Sequence, residues 1–404
     1  MSLIVQKFGG TSVGDADRIR EVADHVARTV RRGNQVVLVV SAMGKETDEL
    51  LRLASDVARH RHGREMDMLI TAGERKAIAL VAMALHDQGI EAASFTGSQA
   101  GFVTDTNHQN AKILDLRTDR IREALDAGLV PVVAGAQGVS TDKDVTFLGR
   151  GGSDTTAVAL AYALEAEVCE LYTDVSGVFS ADPRLVPDAR KMTTVSFDEL
   201  LEMTATGCPK PAMRSVEFAR SYNVPLHIRS AFTWEIGTWV KEEDDTMEQA
   251  SVIAVTSDTT DGKITVSGLA DRPGVAGALF RGLADHGINV DMIVQNVGVG
   301  GHADISFTVP TEHFEQSLEV ARNALPELGA REVTGDAEMA KVSIVGSGMK
   351  TDPGVAARMF ETLAANGINI EMISTSPIRT SCIVKREQTE LAVTALHAAF
   401  GLGS

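Results

Sequence analysis

Up to about residue 240, short β-branched runs alternate with longer stretches in which apolar residues return every three or four positions. Positions 36–40, 130–134 and 170–173 read as strands, each bounded by Gly, Asp or Ser, and positions 16–31 and 154–166 read as amphipathic helices. Such alternation predicts a largely parallel sheet covered by helices on both faces, with ligands bound beyond the carboxyl ends of its strands. The Gly-rich segments of the chain fall at those ends. Lys241-Glu242-Glu243-Asp244-Asp245 has almost no apolar content and reads as a linker or as a solvated loop within one domain.

Beyond that charge run the pattern repeats. Pro273-Gly274-Val275-Ala276, Phe280, Leu283-Ala284, Gly287-Ile288-Asn289 and Met292-Ile293 return as Pro353-Gly354-Val355-Ala356, Phe360, Leu363-Ala364, Gly367-Ile368-Asn369 and Met372-Ile373. Self-similarity at a fixed offset marks a duplicated unit. Each copy has a strand (263–267 or 341–345), an Asp-x-Pro-Gly or Asp-Pro-Gly turn, a helix ending at a Gly, and a strand expected to begin at Asn289 or Asn369. The expected domains are 1–245, 246–336 and 337–404.

Composition narrows the class. The 404 residues are 44% hydrophobic and 23% charged, as in a soluble globular protein. No apolar run reaches the roughly 18 residues of a membrane span, and the first residues read as a strand, not a signal peptide, so a cytoplasmic protein is expected. A net charge of -17 argues against nucleic acid as a partner. Cys169, Cys208 and Cys382 lack metal-ligand spacing, so free thiols and no protein-held metal are expected.

Several segments can carry chemistry. Lys7-Phe8-Gly9-Gly10-Thr11-Ser12 offers backbone N–H groups and a point charge to phosphate, although a plain strand-turn-helix junction explains it too. Gly149-Arg150-Gly151-Gly152-Ser153-Asp154 precedes a helix expected to begin at Thr155, with Ser153 or Asp154 as its cap; Arg150 could grip a carboxylate, or the loop could simply be well capped. Thr173-Asp174-Val175-Ser176-Gly177-Val178-Phe179-Ser180-Ala181-Asp182-Pro183-Arg184 suits nucleotide contacts or an ordinary surface loop. Ser41-Ala42-Met43 with Thr47, and Thr71-Ala72-Gly73-Glu74, are weaker signals. Glu74 could equally be an exposed first-turn acid complementing a helix dipole.

Together and in this order the segments resemble the aspartokinases of the amino-acid kinase family, and the duplication resembles their tandem ACT domains. The resemblance covers essentially the whole chain. It implies a three-layer αβα kinase domain with a largely parallel sheet, then two α+β domains of βαββαβ type. It implies ATP and Mg²⁺ as cofactors and transfer of the γ-phosphate to the β-carboxylate of L-aspartate, opening the aspartate-derived amino-acid pathway. It places Lys7, Gly9, Gly10 and Ser12 on phosphate and Thr173, Asp174, Phe179, Asp182, Arg184 and Lys210 on the nucleotide. Ser41, Thr47, Glu74, Ala136, Phe147, Arg150 and Ser153 fall in the substrate region, with Lys7, Arg150 and Glu74 nearest the chemistry. Effector amino acids, lysine or threonine or both, would meet Asp271, Gly274, Val275, Asn289, Asp291 and Gln295, or Asp352, Gly354, Asn369, Glu371, Ser374 and Thr375. Backbone N–H groups of the turns would take the α-carboxylate and Asp271, Asp291 or Glu371 the ammonium. The repeats would also support a homo-oligomer.

Three positions depart from the family's pattern. Lys210 stands one step late, between two prolines, which questions its part in phosphate binding. Ala136 replaces a common Phe and Phe147 a common Thr; if both line one cavity, volume has moved between its walls and a hydroxyl is lost, and the alternative is neutral drift with compensation. A kinase for a substituted aspartate or another acidic amino acid, or a catalytically weak amino-acid sensor, are therefore the competing readings. Met247 stands where some relatives start a short subunit.

Overall fold

A computed structural model describes residues 2–233, 235–242, 251–297 and 301–403. The expected linker is described only at Lys241 and Glu242, and Met247 lies outside the described residues. The chain divides into two compact units. The first runs to Val178 and adds Lys191–Thr204 and residues from Pro209 to the linker; the second takes Phe179–Arg190, Ala205–Cys208 and the described residues from 251 on. The expected 1–245 domain therefore lends two internal segments to the second unit.

The first unit is built on an eight-stranded sheet in the order Thr194–Ser196, Thr238–Lys241, Leu226–Ser230, Val168–Thr173, Leu3–Phe8, Gln35–Val40, Val130–Ala134 and Ala92–Phe95. From Leu226–Ser230 onward neighbours pair in parallel, as the alternation predicts. Strands such as Val130–Ala134 are buried along their length because helices cover both faces. The helix expected over 16–31 forms as Ala16–Arg31, with the Asp15 carboxylate accepting from Arg18 N–H at 2.9 Å. A second sheet, Ile113–Leu116, Phe102–Thr104, Gln137–Ser140 and Val145–Phe147, carries Phe147.

A buried polar network ties together the strands that end at the Gly-rich loops. Glu170 accepts from Gln6 (2.8 Å), the Tyr172 hydroxyl (2.8 Å) and Arg229 (2.9 Å), and lies 3.5 Å from His227 Nδ1. Burial alone would raise its pKa, yet His227, Gln6, Arg229 and Tyr172 hold it down at about 2. Phe8 stacks on Tyr172 at 4.4 Å, and the Tyr172 hydroxyl meets His25 Nε2 at 2.6 Å. Burial pushes His25 down to about 4, so it stays neutral.

The second unit contains the duplication as two four-stranded sheets. The first copy is complete in sequence: Asp261–Ala270, helix Val275–Asp285, Ile293–Val297, His302–Pro310, helix Phe314–Leu328 and Glu332–Asp336. The second comprises Met339–Val345, helix Val355–Ala365, Met372–Ser376, Arg379–Lys385 and helix Thr389–Ala399. Its fourth strand is Ala254–Asp258, antiparallel to Met339–Val345, in the place Glu332–Asp336 takes in the first sheet. The expected division into 246–336 and 337–404 is corrected here, because hydrogen bonding assigns 254–258 to the later sheet. A second correction concerns Asn289 and Asn369, which precede strands beginning at Ile293 and Met372.

Two lysines link the copies in reciprocal fashion. Lys263 pairs with Glu371 at 2.9 Å and Lys341 with Asp291 at 2.5 Å. Met292, Met339, Met372 and Ile383 form an apolar cluster drawn from both copies.

The Glu170 network supplies a stability test. Glu170→Ala leaves Arg229 without its carboxylate and should cost about 3 kcal/mol, read as a lowered urea midpoint at unchanged slope. Because the native pKa lies below the ordinary value of 4.5, the wild-type contribution is full above that value and fades as pH falls toward about 2. The gap between wild type and variant should close over that window; a gap constant with pH would remove the charge from the explanation.

Candidate active site

Lys7 is the penultimate residue of the strand Leu3–Phe8, and the turn Gly10–Val13 follows it. Its ammonium lies 2.5 Å from the Asp154 carboxylate, with both side chains buried. Asp154 also accepts from the Ala212 N–H at 3.1 Å. Burial pushes its pKa up, but the charge and hydrogen bond of Lys7, the charge of Lys210 and the Ala212 amide bring it below the usual carboxylate value. Lys210, exposed between its prolines, is thus placed to act on Asp154 despite its shifted position in the sequence.

The capping expectation is corrected. The helix spans Gly152–Ala163, its N-cap is Gly151, and no side chain caps it. Ser153 and Asp154 sit inside its first turn, because Asp154 satisfies Lys7. Gly151 adopts φ 76°, and a Cβ there would stand 2.3 Å from the Ala212 Cβ, so this tight approach demands glycine. Arg150 is exposed beside it.

Gly10 packs on the loop that carries Ser41. A Cβ on Gly10 would stand 2.7 Å from the Ala42 carbonyl oxygen, and Gly44 N–H donates to the Gly10 carbonyl at 2.9 Å. Ala42 in turn abuts Gly73, so Lys7, Gly9, Gly10, Ser12, Ser41 and Glu74 fall into one neighbourhood. Thr47 is half-buried in the first turn of the helix Glu46–Val57. Glu74 is 3% exposed, which overturns the exposed first-turn alternative. Burial raises its pKa to about 7, against the backbone N–H groups of Glu74 and Ala42, and the charge of Glu46 adds to the rise. One Glu74 carboxylate oxygen and the Ser12 hydroxyl are buried without a hydrogen-bond partner.

A second cluster, around Phe147, rests on residues the sequence reading missed. Asp67, fully buried in the helix Arg64–Ile70, accepts from His108 Nδ1 at 2.8 Å, Gln109 N–H at 2.9 Å and Phe147 N–H at 2.9 Å. Arg214 donates to the carbonyls of Leu148 at 2.7 Å and Ala111 at 2.8 Å. An acid flanked by Met66 and Met68 is the signal that could have flagged Asp67. Phe147 is half-buried in this cluster, whereas Ala136 is buried at φ 58° with its N–H on the Thr156 hydroxyl at 3.0 Å.

The expected nucleotide loop is divided. Thr173 is buried at the end of Val168–Thr173 and Asp174 is exposed beside it, both in the first unit. Phe179, Asp182 and Arg184 belong to the second unit, where Arg184 Nη2 folds onto Asp182 at 2.6 Å.

The effector candidates are described within the second unit. Asp271, Gly274, Asn289, Gln295, Asn369 and Thr375 are exposed, Val275 is buried and Ser374 is half-buried. Asp352 accepts from the Gly354 N–H at 3.0 Å and from the Ser251 hydroxyl at 2.8 Å. One amide of that turn, that of Gly354, is therefore occupied by Asp352. Asp291 and Glu371 each pair with a lysine of the other copy.

The profile of the Amino acid kinase family matches residues 2–230, and an ACT domain profile matches 264–325 and 342–400. The chain is 52% identical to the aspartokinase of Mycolicibacterium smegmatis and 50% identical to that of Corynebacterium glutamicum, in each case over 100% of this chain and 97% of the relative. The crystal structure of aspartate kinase from Synechocystis is 42% identical, with TM-score 0.56 over 99% of this chain and 70% of that one. E. coli aspartokinase III in complex with aspartate and ADP shares the fold at TM-score 0.82 and 24% identity, over 98% and 99% of the two chains.

Glu74 generates a test independent of activity. Its native pKa of about 7 exceeds the ordinary 4.5, so the unfolded chain binds fewer protons between those values and stability falls as pH rises through them. Glu74→Gln keeps the shape without the charge, and should stabilise the protein by about 1–3 kcal/mol at pH 8 but little near pH 4.5. Thermal melts at the two pH values check the sign; equal shifts would show that burial does not strain this carboxylate.

Proposed function

This chain belongs to the amino acid kinase family as an aspartokinase, and from that premise we propose how its residues divide the work of phosphorylating L-aspartate. The observation that supports the assignment most strongly is the neighbourhood of Lys7, Gly9, Gly10 and Glu74. Lys7, fixed by Asp154, lies along the transferred phosphate, and the amides of the Gly9-Gly10 turn and the Ser12 hydroxyl meet its oxygens. Glu74 takes the α-ammonium of aspartate, which supplies the counter-charge its buried oxygen lacks, with Ser41, Thr47 and Ser153 lining the same region. Arg150 holds a substrate carboxylate.

The attacking β-carboxylate is ionised at pH 7, so no general base is required. Its oxygen attacks the γ-phosphorus in line, the bond to the β,γ-bridging oxygen breaks, and ADP and L-aspartyl-4-phosphate form. Catalysis then rests on positioning and on neutralising charge that grows in the transition state. Thr173, Asp174, Phe179, Asp182, Arg184 and Lys210 are assigned to the nucleotide. Magnesium would enter on the phosphates of ATP and neutralise them there.

Regulation follows from the ACT domains, with lysine, threonine or both as effectors and the route to lysine, threonine and methionine as the setting. A homo-oligomer is proposed through the repeats, whose strands Ile293–Val297 and Met372–Ser376 stand at sheet edges with Ile293 53% and Ile373 43% exposed. No helix among the described residues is long and apolar enough to cross a membrane, and a cytoplasmic location is proposed.

Lys7→Ala should lower kcat about a hundred- to a thousandfold in an aspartate hydroxamate assay while the melting curve still shows a folded protein. Half-retained activity would exclude Lys7 from charge neutralisation. The same assay on wild type with lysine and threonine, singly and together, reads the effectors, and no shift with any of them would remove both amino acids from the proposal.

The Ala136 and Phe147 exchange favours a second reading, altered selectivity for aspartate. The double change Ala136→Phe with Phe147→Thr should lower KM for aspartate severalfold by restoring a hydroxyl, the effect of about 1 kcal/mol in binding. An unchanged KM, with 3-methyl- and 3-hydroxy-aspartate both rejected by wild type, would leave the two residues as a neutral repacking.

A further inference from the structure

The loop segment that contains the assigned nucleotide residues Phe179, Asp182 and Arg184 is built into the core of the second sheet of the duplication. Ala181, Val186 and Ala189 are buried with Val255, Val342, Ile344, Leu396 and Leu402, and Phe179 and Leu185 pack against the same cluster. Backbone bonds reinforce this packing: Val255 N–H donates to the Ser180 carbonyl at 2.7 Å, and Ala189 forms an antiparallel bridge with Gly403.

Ser180 is the centre of the arrangement. It is fully buried, and its hydroxyl accepts from the Arg190 N–H at 2.9 Å, meets His397 Nε2 at 2.9 Å and donates to the Leu402 carbonyl at 3.1 Å. A serine has one proton to give, so donation to Leu402 requires His397 to donate through Nε2. His397 is 1% exposed; burial lowers its pKa, with Asp188 opposing and Arg190 assisting, which suits a neutral donor. One hydroxyl thus joins both ends of the 180–190 turn, the helix Thr389–Ala399 and the segment after it.

We propose that Ser180 is a positioning residue for the nucleotide segment, and that His397 and the Leu402 carbonyl set its place from the second ACT domain. The proposal rests on the assignment of Asp182 and Arg184 to ATP. Asp182 and Arg184 follow Ser180 by two and four residues, and the turn leading away from them is closed by bonds between Asp182 carbonyl and the N–H groups of Leu185 and Val186. Rotation or loss of the Ser180 clamp therefore moves the groups that would meet the nucleotide. Coupling is reciprocal, so occupancy of the nucleotide site should also tighten residues 400–403.

Steady-state kinetics should be measured on wild type, Ser180→Ala, His397→Leu, His397→Gln, a chain ending at Phe400, and Arg184→Ala. Ser180→Ala, His397→Leu and the shortened chain should raise KM for ATP about five- to tenfold, as expected for a lost hydrogen bond that orders a binding loop, with KM for aspartate changed less than about twofold. His397→Gln, which keeps an N–H donor, should restore most of the loss. If Arg184→Ala leaves KM for ATP unchanged, the nucleotide assignment fails. If Arg184→Ala raises it while Ser180→Ala and the shortened chain do not, or if both substrates weaken together, the positioning role is overturned. Hydrogen exchange on wild type covers variants that do not fold: saturating ADP should slow the amides of Ser180, Val255 and Leu402 severalfold, and unchanged rates would refute the proposal.

Discussion

The buried contact between Lys7 and Asp154 imposes the strictest demand on the first unit. Removing an ammonium and a carboxylate from water costs several kcal/mol for each ion, and only close pairing with further hydrogen bonds offsets that cost. The neighbouring sequence meets the demand. Asp154 can reach Lys7 because the helix Gly152–Ala163 starts two residues before it, and the helix can start there because Gly151 leaves room for Ala212, whose amide then serves Asp154. The lysine is held at the end of its strand by a second buried ion network on the same strand, where Gln6 binds Glu170. Gly151 is therefore required by how closely Ala212 must approach to serve the buried pair.

Much of this was legible from residue order. Apolar spacing located the helix Ala16–Arg31 and the central strands, and the duplication announced itself through Pro-Gly-Val-Ala and Gly-Ile-Asn. What stayed hidden were partners distant in sequence. Nothing local distinguishes Ala254–Asp258 as the fourth strand of the later sheet, since its pairing with Met339–Val345 is chosen by an unfilled edge. Asp67 stayed hidden because its three donors, His108, Gln109 and Phe147, come from two other segments. Asp154 was visible but misread, because an acid near a helix start is so often a cap.

The loop 173–184 shows a different limit. Its polar residues point toward nucleotide contacts, and in the same loop and the two residues after it Phe179, Ala181, Leu185 and Val186 are apolar and packed. A surface loop has little reason to carry four such residues in eight positions. Their interval matched neither helix nor strand, and so period-based reading passed over them. The repeats show a similar limit: nothing in the sequence tells that Asp291, Glu371 and Asp352 each have a partner in the folded unit.

Three buried carboxylates of the first unit show how environment sets the charge an acid carries. Asp154 and Glu170 are both buried, and burial pushes the pKa of each upward, but Lys7 and Lys210 in one case and Arg229 with its neighbours in the other reverse the shift. Both therefore remain charged, each carboxylate held by the donors around it. Glu74 experiences the same burial with two backbone amides and the adverse charge of Glu46, and its pKa rises to about 7. It also keeps an oxygen without a partner. A carboxylate in that condition costs stability in the empty protein, and a cation delivered by a ligand relieves the cost. Under the proposed assignment that cation is the α-ammonium of aspartate, so part of the strain in the empty site becomes selectivity for an amino acid over a simple dicarboxylate. The same reasoning makes the preference depend on pH: below about 7 Glu74 takes up a proton, its attraction for an ammonium weakens, and discrimination between the two ligand classes should narrow.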